Sequence, residues 1–213
     1  MAGDGTTPTG ATSRVVECLL ATSLALWLAI RFGLASAWLV VPIVFTLARR
    51  RSLDDLAIEP RLTPPSITAH LALGVTLLAL YCAGRWAWAT AFAGAEVTPR
   101  LPPDFGLLAL HQLLVVAIPE EIFFRGYLQS NLDRAIPAPR WRVFGAPVGP
   151  GFFLQAAIFA ACHLVTGDWL RVRVGAFGLL AGWLRARSGS LLSPILYHAV
   201  ANLWVAILEH SLR

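Results

Sequence analysis

The sequence reads Pro119-Glu120-Glu121-Ile122-Phe123-Phe124-Arg125-Gly126-Tyr127-Leu128 at the end of an otherwise apolar run, 105–128, and these charges restrict the folds that are possible. An ionised side chain at the centre of a bilayer costs at least about 2.5–3.5 kcal/mol, so three together require a reason. Glu121 and Arg125 are four residues apart and share a helical face, which predicts an ion pair. Glu120 points about 100° away from Glu121 and has no partner nearby in sequence. Because Pro119 lacks an N–H and collides with the Val115 carbonyl, the helix should loosen just before this unpaired carboxylate.

The composition is that of a membrane protein. Of the 213 residues, 57% are hydrophobic and 14% are charged, whereas about 25% are charged in an ordinary soluble domain. The net charge of +5 comes with seventeen basic residues, all arginine and mostly between apolar runs. That distribution is typical of membrane topology, so nucleic acid is not expected as a partner. Cys18, Cys82 and Cys162 lie inside apolar runs without a CxxC spacing, which predicts buried thiols.

The apolar runs predict an all-α fold, a polytopic transmembrane helical bundle of about seven spans. The first run, 15–48, is too long for one span of about 20 residues, and Arg31-Phe32-Gly33 near its middle predicts a hairpin of two short spans. A cleaved signal peptide is the alternative, since Ala35-Ser36-Ala37 resembles a cleavage site, but the weakly basic tail and later spans favour an uncleaved span. The other predicted spans are 67–83, 105–128, 151–165, 169–184 and 191–208.

These spans predict three regions: a disordered cytoplasmic tail (1–14), about three peripheral spans (15–104) and a catalytic core of about four spans (105–213). Placing the arginine-rich loop 49–65 in the cytoplasm leaves more arginines on the cytoplasmic side than on the other side. The N-terminus is therefore expected in the cytoplasm. In the sixth span, Gly178-xxx-Gly182 predicts close contact with a neighbouring helix.

The later spans contain few other strongly polar residues, and these fall at similar depths. His163 lies in the fifth predicted span, while His198 and Asn202 are four residues apart in the seventh and so share a face. At a rise of 1.5 Å per residue, Glu120, His163 and His198 lie roughly 15, 18 and 12 Å below the cytoplasmic surface. Each residue alone could be a structural polar group bonded to a neighbouring helix. Jointly they predict one buried site.

This set of side chains suits peptide hydrolysis. Glu120 could deprotonate a water held by a neutral His163, while His198 and Asn202 could donate to the developing oxyanion. Zinc bound by Glu120, His163 and His198 is the rival chemistry, although the H-E-x-x-H helix is absent; otherwise no cofactor is expected. A non-enzymatic membrane protein, either a proton-linked transporter or an immunity or interaction factor, would use the same residues as titratable or packing groups.

At these residues the chain resembles the CPBP family of intramembrane proteases, also called the CAAX-protease or Abi family. The family signature of two glutamates, three residues and an arginine is similar to the stretch from Glu120 to Arg125. Its two later motifs are similar to Phe159-Ala160-Ala161-Cys162-His163 and, after Gly189-Ser190-Leu191, to His198-Ala199-Val200-Ala201-Asn202. The motifs occur in family order across roughly 105–208, which makes the resemblance specific.

The resemblance implies an endopeptidase that cuts a membrane-anchored protein or peptide near its C-terminus within the lipid bilayer. It implies that Glu120 and His163 activate water, that His198 and Asn202 hold the oxyanion, and that Glu121 and Arg125 form a supporting ion pair. The family has been described as metal-dependent, so zinc remains possible. The lysine-free, alanine- and arginine-rich composition favours a bacterial inner-membrane protein. Bacterial members of the family include bacteriocin-processing proteins and the myxosortase type, so a membrane-embedded peptide tag is expected as substrate rather than a prenylated CAAX protein.

Overall fold

The computed structural model describes residues 8–56, 64–92, 98, 100–136, 141–165, 167 and 169–211. Most of this described part of the chain is helical, and two short 3-10 turns, Leu53–Leu56 and Trp169–Arg173, join the helices. The all-α fold class is confirmed. The helices of the described residues are α1 (Pro8–Phe32), α2 (Ala37–Ala48), α3 (Pro64–Ala91), α4 (Phe105–Ala135), α5 (Pro150–Val165), α6 (Val174–Ser188) and α7 (Leu192–Ser211).

Three of the described helices are long and apolar enough to cross a membrane: α1 over Gly10–Phe32, α4, and α7. The helices α2 and α5 are apolar but shorter. On α4, Leu107, Leu110 and Leu114 are more than half exposed, and a stripe of exposed leucines on one helix face suits contact with lipid chains. The helices therefore have the length and surface of a membrane-embedded bundle.

The helix α1 begins earlier than the sequence predicts. A disordered tail is expected over 1–14, but Pro8 already starts the helix; residues 1–7 of that tail lie outside the described residues. Proline suits the first helical turn, where its missing N–H would be unsatisfied in any case. The Arg14 side chain donates to Asn131 Oδ1 on α4 at 3.5 Å, which holds the first turns of α1 against the core. Residues 8–14 are therefore helical, which corrects the predicted boundary.

The hairpin predicted near the middle of 15–48 is confirmed. The helix α1 ends at Phe32, and α2 begins at Ala37. Between them Gly33 has a φ of 67°, a left-handed conformation that glycine adopts without steric penalty. The two helices therefore run in opposite directions beside the core.

A buried carboxylate on α1 joins the peripheral helices to α4. Glu17 is 2% exposed, and its two oxygens accept hydrogen bonds from the two terminal nitrogens of Arg51, each at 3.0 Å. Arg49 Nε lies 3.2 Å from Oε2, and the Tyr127 hydroxyl of α4 donates to Oε1 at 2.7 Å. A buried carboxylate is tolerated when its oxygens are paired in this way. The pairing of Glu17 cannot be predicted from the sequence, because its partners lie on other segments.

The helix α4 is continuous, but it widens on both sides of the glutamate pair. Gln112–Ala117 and Ile122–Gln129 are π-helical, and the α-helical turn Ile118–Glu121 lies between them. Pro119 therefore follows a widened stretch, which confirms the predicted loosening. The helix also continues past the predicted end at 128, because Gln129 Nε2 donates to the Gly182 carbonyl at 3.3 Å and Asn131 Nδ2 to the Tyr127 carbonyl at 2.9 Å.

An aromatic cluster sets the rotation of α4 about its axis. Trp38 on α2 has ring-centroid separations of 4.9 Å to Phe123 and 5.1 Å to Phe124. Phe124 in turn lies 4.8 Å from Phe159 on α5, in an edge-to-face arrangement. Such aromatic pairs are worth about 0.5–1.5 kcal/mol beyond their buried area. The cluster thus packs α4 against both α2 and α5.

Close packing of α6 against α5 confirms the prediction made from Gly178 and Gly182. A Cβ added at Gly178 would lie 3.2 Å from Ala156 Cα, so the two backbones are nearly in contact. The buried Gly178 carbonyl accepts from Gln155 Nε2 at 3.0 Å and from Arg125 Nη2 at 3.4 Å. The small residues therefore also supply a backbone acceptor to the buried arginine.

The loop between α4 and α5 contains a two-stranded antiparallel hairpin that the sequence analysis did not predict. Strand β1 (Trp141–Val143) pairs with β2 (Ala146–Val148). The turn residues Phe144 and Gly145 have φ of 46° and 79°, as the two-residue hairpin turns with left-handed backbone require. Trp183 Nε1 on α6 donates to the Val143 carbonyl at 2.9 Å, which fastens the hairpin to the bundle.

Candidate active site

His198 on α7 lies between the two adjacent glutamates of α4. Its Nδ1 is 2.6 Å from Glu121 Oε1, and its Nε2 is 3.8 Å from Glu120 Oε2. The His198 side chain is 5% exposed. Because the Glu121 carboxylate is ion-paired and can only accept, Nδ1 is the donor in the short contact. The Nε2 atom is therefore the ring nitrogen that faces Glu120.

Glu121 and Arg125 form the ion pair that their spacing predicts. Arg125 Nη1 lies 2.8 Å from Glu121 Oε1, and both side chains are 0% exposed. The Arg125 guanidinium carbon also lies 4.5 Å from the centroid of the Phe159 ring, a cation–π distance. The sequence analysis assigned Glu121 to Arg125 alone. In the structure the same oxygen also accepts from His198, so the pair extends into a chain of three groups.

Glu120 and Glu121 each have a buried Oε2 without a hydrogen bond, but Glu121 is paired through its Oε1, whereas the Glu120 carboxylate has only a long contact with His198 among the described residues. The Glu120 side chain is 16% exposed, and Oε2 is buried without a hydrogen bond to any residue that the structure describes. The separation of 3.8 Å from His198 Nε2 is too long for a direct hydrogen bond. Glu120 therefore retains an acceptor atom beside an imidazole, as a general base requires.

His163 approaches the site from α5 and is oriented by its own helix. Its Nδ1 donates to the Phe159 carbonyl at 2.9 Å, since a carbonyl oxygen can only accept. In a neutral imidazole this leaves Nε2 as the acceptor nitrogen. The Phe159 ring lies 4.5 Å from the His163 ring and 6.1 Å from the His198 ring, centroid to centroid. Phe159 therefore contacts both imidazoles and fixes their spacing.

Asn202 meets a residue that the sequence analysis missed. Its Nδ2 donates to Gln112 Oε1 at 2.9 Å, and Gln112 begins the first π-helical stretch of α4. An amide nitrogen carries two hydrogens, so one remains available after this bond. Gln112 thereby fixes which end of the Asn202 amide is the donor. In the sequence, Gln112 could have been noticed only as a polar residue inside the apolar run 105–128.

A cavity of about 430 Å³ connects most of these groups. Gln112, His163, His198 and Asn202 all line it. Glu120 does not line the cavity itself. It lies behind His198, whose Nε2 is 3.8 Å from Glu120 Oε2. A volume of this size lies within the range of about 300–1,000 Å³ that is usual for ligand sites. The structure thus gathers side chains from α4, α5 and α7 around one space.

The zinc alternative requires Glu120, His163 and His198 to converge on one ion. Within the residues that the structure describes, no three His, Cys, Asp or Glu side chains are grouped to hold a metal ion. The Nδ1 atoms of both histidines donate to oxygen atoms, His163 to the Phe159 carbonyl and His198 to Glu121, which leaves Nε2 as the nitrogen of each ring that could bind a metal. The described side chains are nevertheless not grouped around one point, so they do not fit a metal centre in this arrangement.

The fold and the site together define a helical membrane protein with acid–base groups in a cavity between its helices. Residues 102–204 match the family model described as type II CAAX prenyl endopeptidase, Rce1-like. The matched segment covers just under half of the chain and is similar to this CAAX-protease family, also called CPBP. The matched segment contains Glu120, His163, His198 and Asn202.

Comparison with curated proteins and with solved structures gave no match. The match over residues 102–204 supports intramembrane CAAX endopeptidase activity in general terms, and with it a membrane-associated protein substrate in a lipid environment. The family and the three long apolar helices together indicate an integral membrane protein.

Proposed function

We propose that the chain is an intramembrane endopeptidase that hydrolyses a peptide bond near the C-terminus of a membrane-associated protein or peptide, with water activated by Glu120. The observation that carries the proposal is the buried Glu120 Oε2, which has no hydrogen bond among the described residues and lies 3.8 Å from His198 Nε2. Burying a carboxylate oxygen without a hydrogen bond costs folding free energy. Glu120 is therefore better explained as a general base that accepts a proton from water.

The chemistry assigns one proton route. A water oriented by the His163 acceptor nitrogen loses a proton to Glu120, and its oxygen attacks the carbonyl carbon of the scissile bond. The carbonyl electrons move onto oxygen, where the second N–H of Asn202 and the Nε2–H of a protonated His198 donate to the oxyanion. Glu120 then returns the proton to the leaving amine as the C–N bond breaks.

Glu121 and Arg125 influence these reaction steps through His198. The Glu121 oxygen that accepts from Nδ1 at 2.6 Å stabilises the charged imidazole when Nε2 carries a proton. Arg125, at 2.8 Å from the same oxygen, holds the Glu121 carboxylate in place. The two residues are therefore positioning residues for His198 rather than groups that touch the substrate.

The test is mass spectrometry of membrane-protein termini from cells that carry the wild-type chain, Glu120→Gln or Asp54→Asn. Asp54→Asn makes the same carboxyl-to-amide change at an exposed residue outside the site. New termini should appear with wild type and Asp54→Asn and be absent with Glu120→Gln. Cleavage that persists at the normal rate in Glu120→Gln would show that the base is misassigned, and proton-coupled flux in liposomes would favour a transporter instead.

The proposal includes no metal requirement. It predicts that a chelator leaves cleavage by the purified protein unchanged. Chelator inhibition that is reversed by added zinc would refute this part and would favour a metal centre formed by Glu120, His163 and His198 in another conformation.

For location we propose a multi-pass protein of a bacterial inner membrane with a cytoplasmic N-terminus, and a membrane-embedded peptide tag as substrate. The distribution of arginine between loops supports the orientation. Labelling of single cysteines introduced at Asp54 and at His210 from either side of the membrane tests it. Asp54 should react from the cytoplasm and His210 from the opposite side, and the reverse pattern would overturn the orientation.

A further inference from the structure

Three arginines line the cavity and take no part in the proposed chemistry. Arg85 lies on α3, while Arg171 and Arg173 lie on the 3-10 turn Trp169–Arg173 that precedes α6. They mark the end of the bundle where α5 has finished and α6 begins. The cavity therefore has two groups of polar side chains: the imidazoles and amides of the candidate active site, and this arginine cluster of Arg85, Arg171 and Arg173.

The positive charge of the arginine cluster exceeds the negative charge around it. Glu209 is the one carboxylate among the lining residues. In the part of the chain that the structure describes, neither Arg85 nor Arg171 has an ion pair, and the Arg85 Nε atom is buried without a hydrogen bond. A guanidinium that is neither paired nor fully hydrated is costly in a membrane protein. Such a group suits a site that an anionic ligand completes.

Two further features of the same place favour an anion. The Arg173 guanidinium carbon lies 5.6 Å from the Trp88 ring centroid on α3, which holds this flexible side chain at the cavity. Arg173 also directly precedes α6, a helix of 15 residues, whose N-terminus adds partial positive charge. The Arg85 side chain and the start of α6 thus present positive potential to one space.

We infer that the arginine cluster binds a carboxylate carried by the peptide substrate while the scissile bond lies against His163, His198 and Asn202. The inference rests on the proposed function, because it takes the ligand to be a peptide. A guanidinium binds a carboxylate through two parallel N–H donors. A lipid phosphate would remain at the bilayer surface, whereas the buried Arg85 Nε belongs to the cavity shared with the imidazoles.

The carboxylate has two possible sources, the C-terminus of the substrate or an acidic side chain near it. Three probe peptides separate them: acetyl-Leu-Ala-Leu as the free acid, the same peptide as its amide, and acetyl-Leu-Ala-Asp as its amide. Binding is measured by tryptophan fluorescence in detergent with the 213-residue protein carrying Glu120→Gln, which removes the proposed base. Trp88 beside Arg173 provides a reporter at the site.

The free acid or the aspartate peptide should bind about tenfold or more tightly than the plain amide, as hydrogen bonds to charged groups allow. Whichever acidic probe shows the preference identifies the source of the carboxylate. The preference should disappear in Arg85→Gln and in Arg171→Gln. It should remain in Arg142→Gln, which changes an arginine of the β-hairpin outside the cavity. Arg171 is exposed, so its variant should fold normally.

Equal affinity for all three peptides, or a preference that survives both arginine variants, would overturn the inference. Loss of affinity only for phosphatidylglycerol micelles in the variants would assign the arginines to lipid and would also overturn it. Because the binding assay does not use turnover, its result is separate from that of the cleavage experiment. If the acidic peptides bind more tightly but the wild-type protein produces no new termini in the cleavage experiment, the carboxylate site is supported and the protease function is refuted.

Discussion

Substitution by glutamine should lower the stability of the protein at Glu121 but only the cleavage rate at Glu120. Glu121→Gln removes the charge that compensates Arg125, and both side chains are 0% exposed. Removing one partner of a buried ion pair costs about 3–5 kcal/mol of unfolding free energy, because the remaining charge stays buried. Glutamine is nearly isosteric with glutamate, so the loss reports the charge rather than a cavity. His198 Nδ1 also loses its charged acceptor.

Glu120→Gln should change the free energy of unfolding by less than about 1 kcal/mol, because Glu120 Oε2 has no hydrogen bond among the described residues to lose. Its effect should fall on cleavage, where removal of a general base lowers the rate by about 10²–10⁴-fold. The measurement is reversible unfolding of the purified protein in mixed detergent, followed by circular dichroism, beside the cleavage rate of each variant.

Adding Arg125→Gln to Glu121→Gln provides the control. The double variant should recover part of the lost stability, because the uncompensated guanidinium is gone. If Glu121→Gln destabilises no more than Glu120→Gln, or if the double variant is the sum of two large losses, the buried pair does not carry the stability argued from its geometry.

Three further predictions concern other parts of the bundle. Glu17→Gln should lower the free energy of unfolding by about 3 kcal/mol without changing the cleavage rate, because it leaves Arg51 without its bidentate partner; a loss below 1 kcal/mol in the same unfolding assay would contradict this. Gln112→Ala should lower kcat about tenfold with little change in KM, since it frees the Asn202 amide. Gln112→Glu should retain most of kcat. Neither substitution should have an effect in an Asn202→Ala background. Gly126→Ala should destabilise the protein by about 1–3 kcal/mol, because the new Cβ would lie 2.6 Å from the Leu56 carbonyl oxygen; unchanged unfolding would show that this backbone contact is not tight.

Parts of the site follow from the sequence because they depend on local spacing. The contact between Glu121 and Arg125 follows from a separation of four residues on one helix. The widened turns around Pro119 follow from its missing N–H. The catalytic roles of Glu120, His163, His198 and Asn202 are predictions that the cleavage experiments must test, although the structure places them within neighbouring helices.

Other features could not be predicted from the sequence. The hydrogen bond of His198 to Glu121, that of Asn202 to Gln112 and the four donors around Glu17 all join residues on different segments. Each contact requires a particular rotation and axial offset of one helix against another. Periodicity indicates which face of a helix is polar, but it does not say which polar groups on another helix that face will meet.

The sequence by itself determined the all-α membrane fold, the hairpin at Gly33, the close helix contact at Gly178 and the set of polar residues available for chemistry, since apolar runs, turn residues and helical spacing are local properties. Only the tertiary structure shows which of these polar residues contact one another. Aromatic packing of Trp38 against Phe123 and Phe124 holds α4 against α2, and packing of α7 against α4 places His198 between the two glutamates. Packing between distant segments fixes such contacts, because each depends on the shape of many side chains at once.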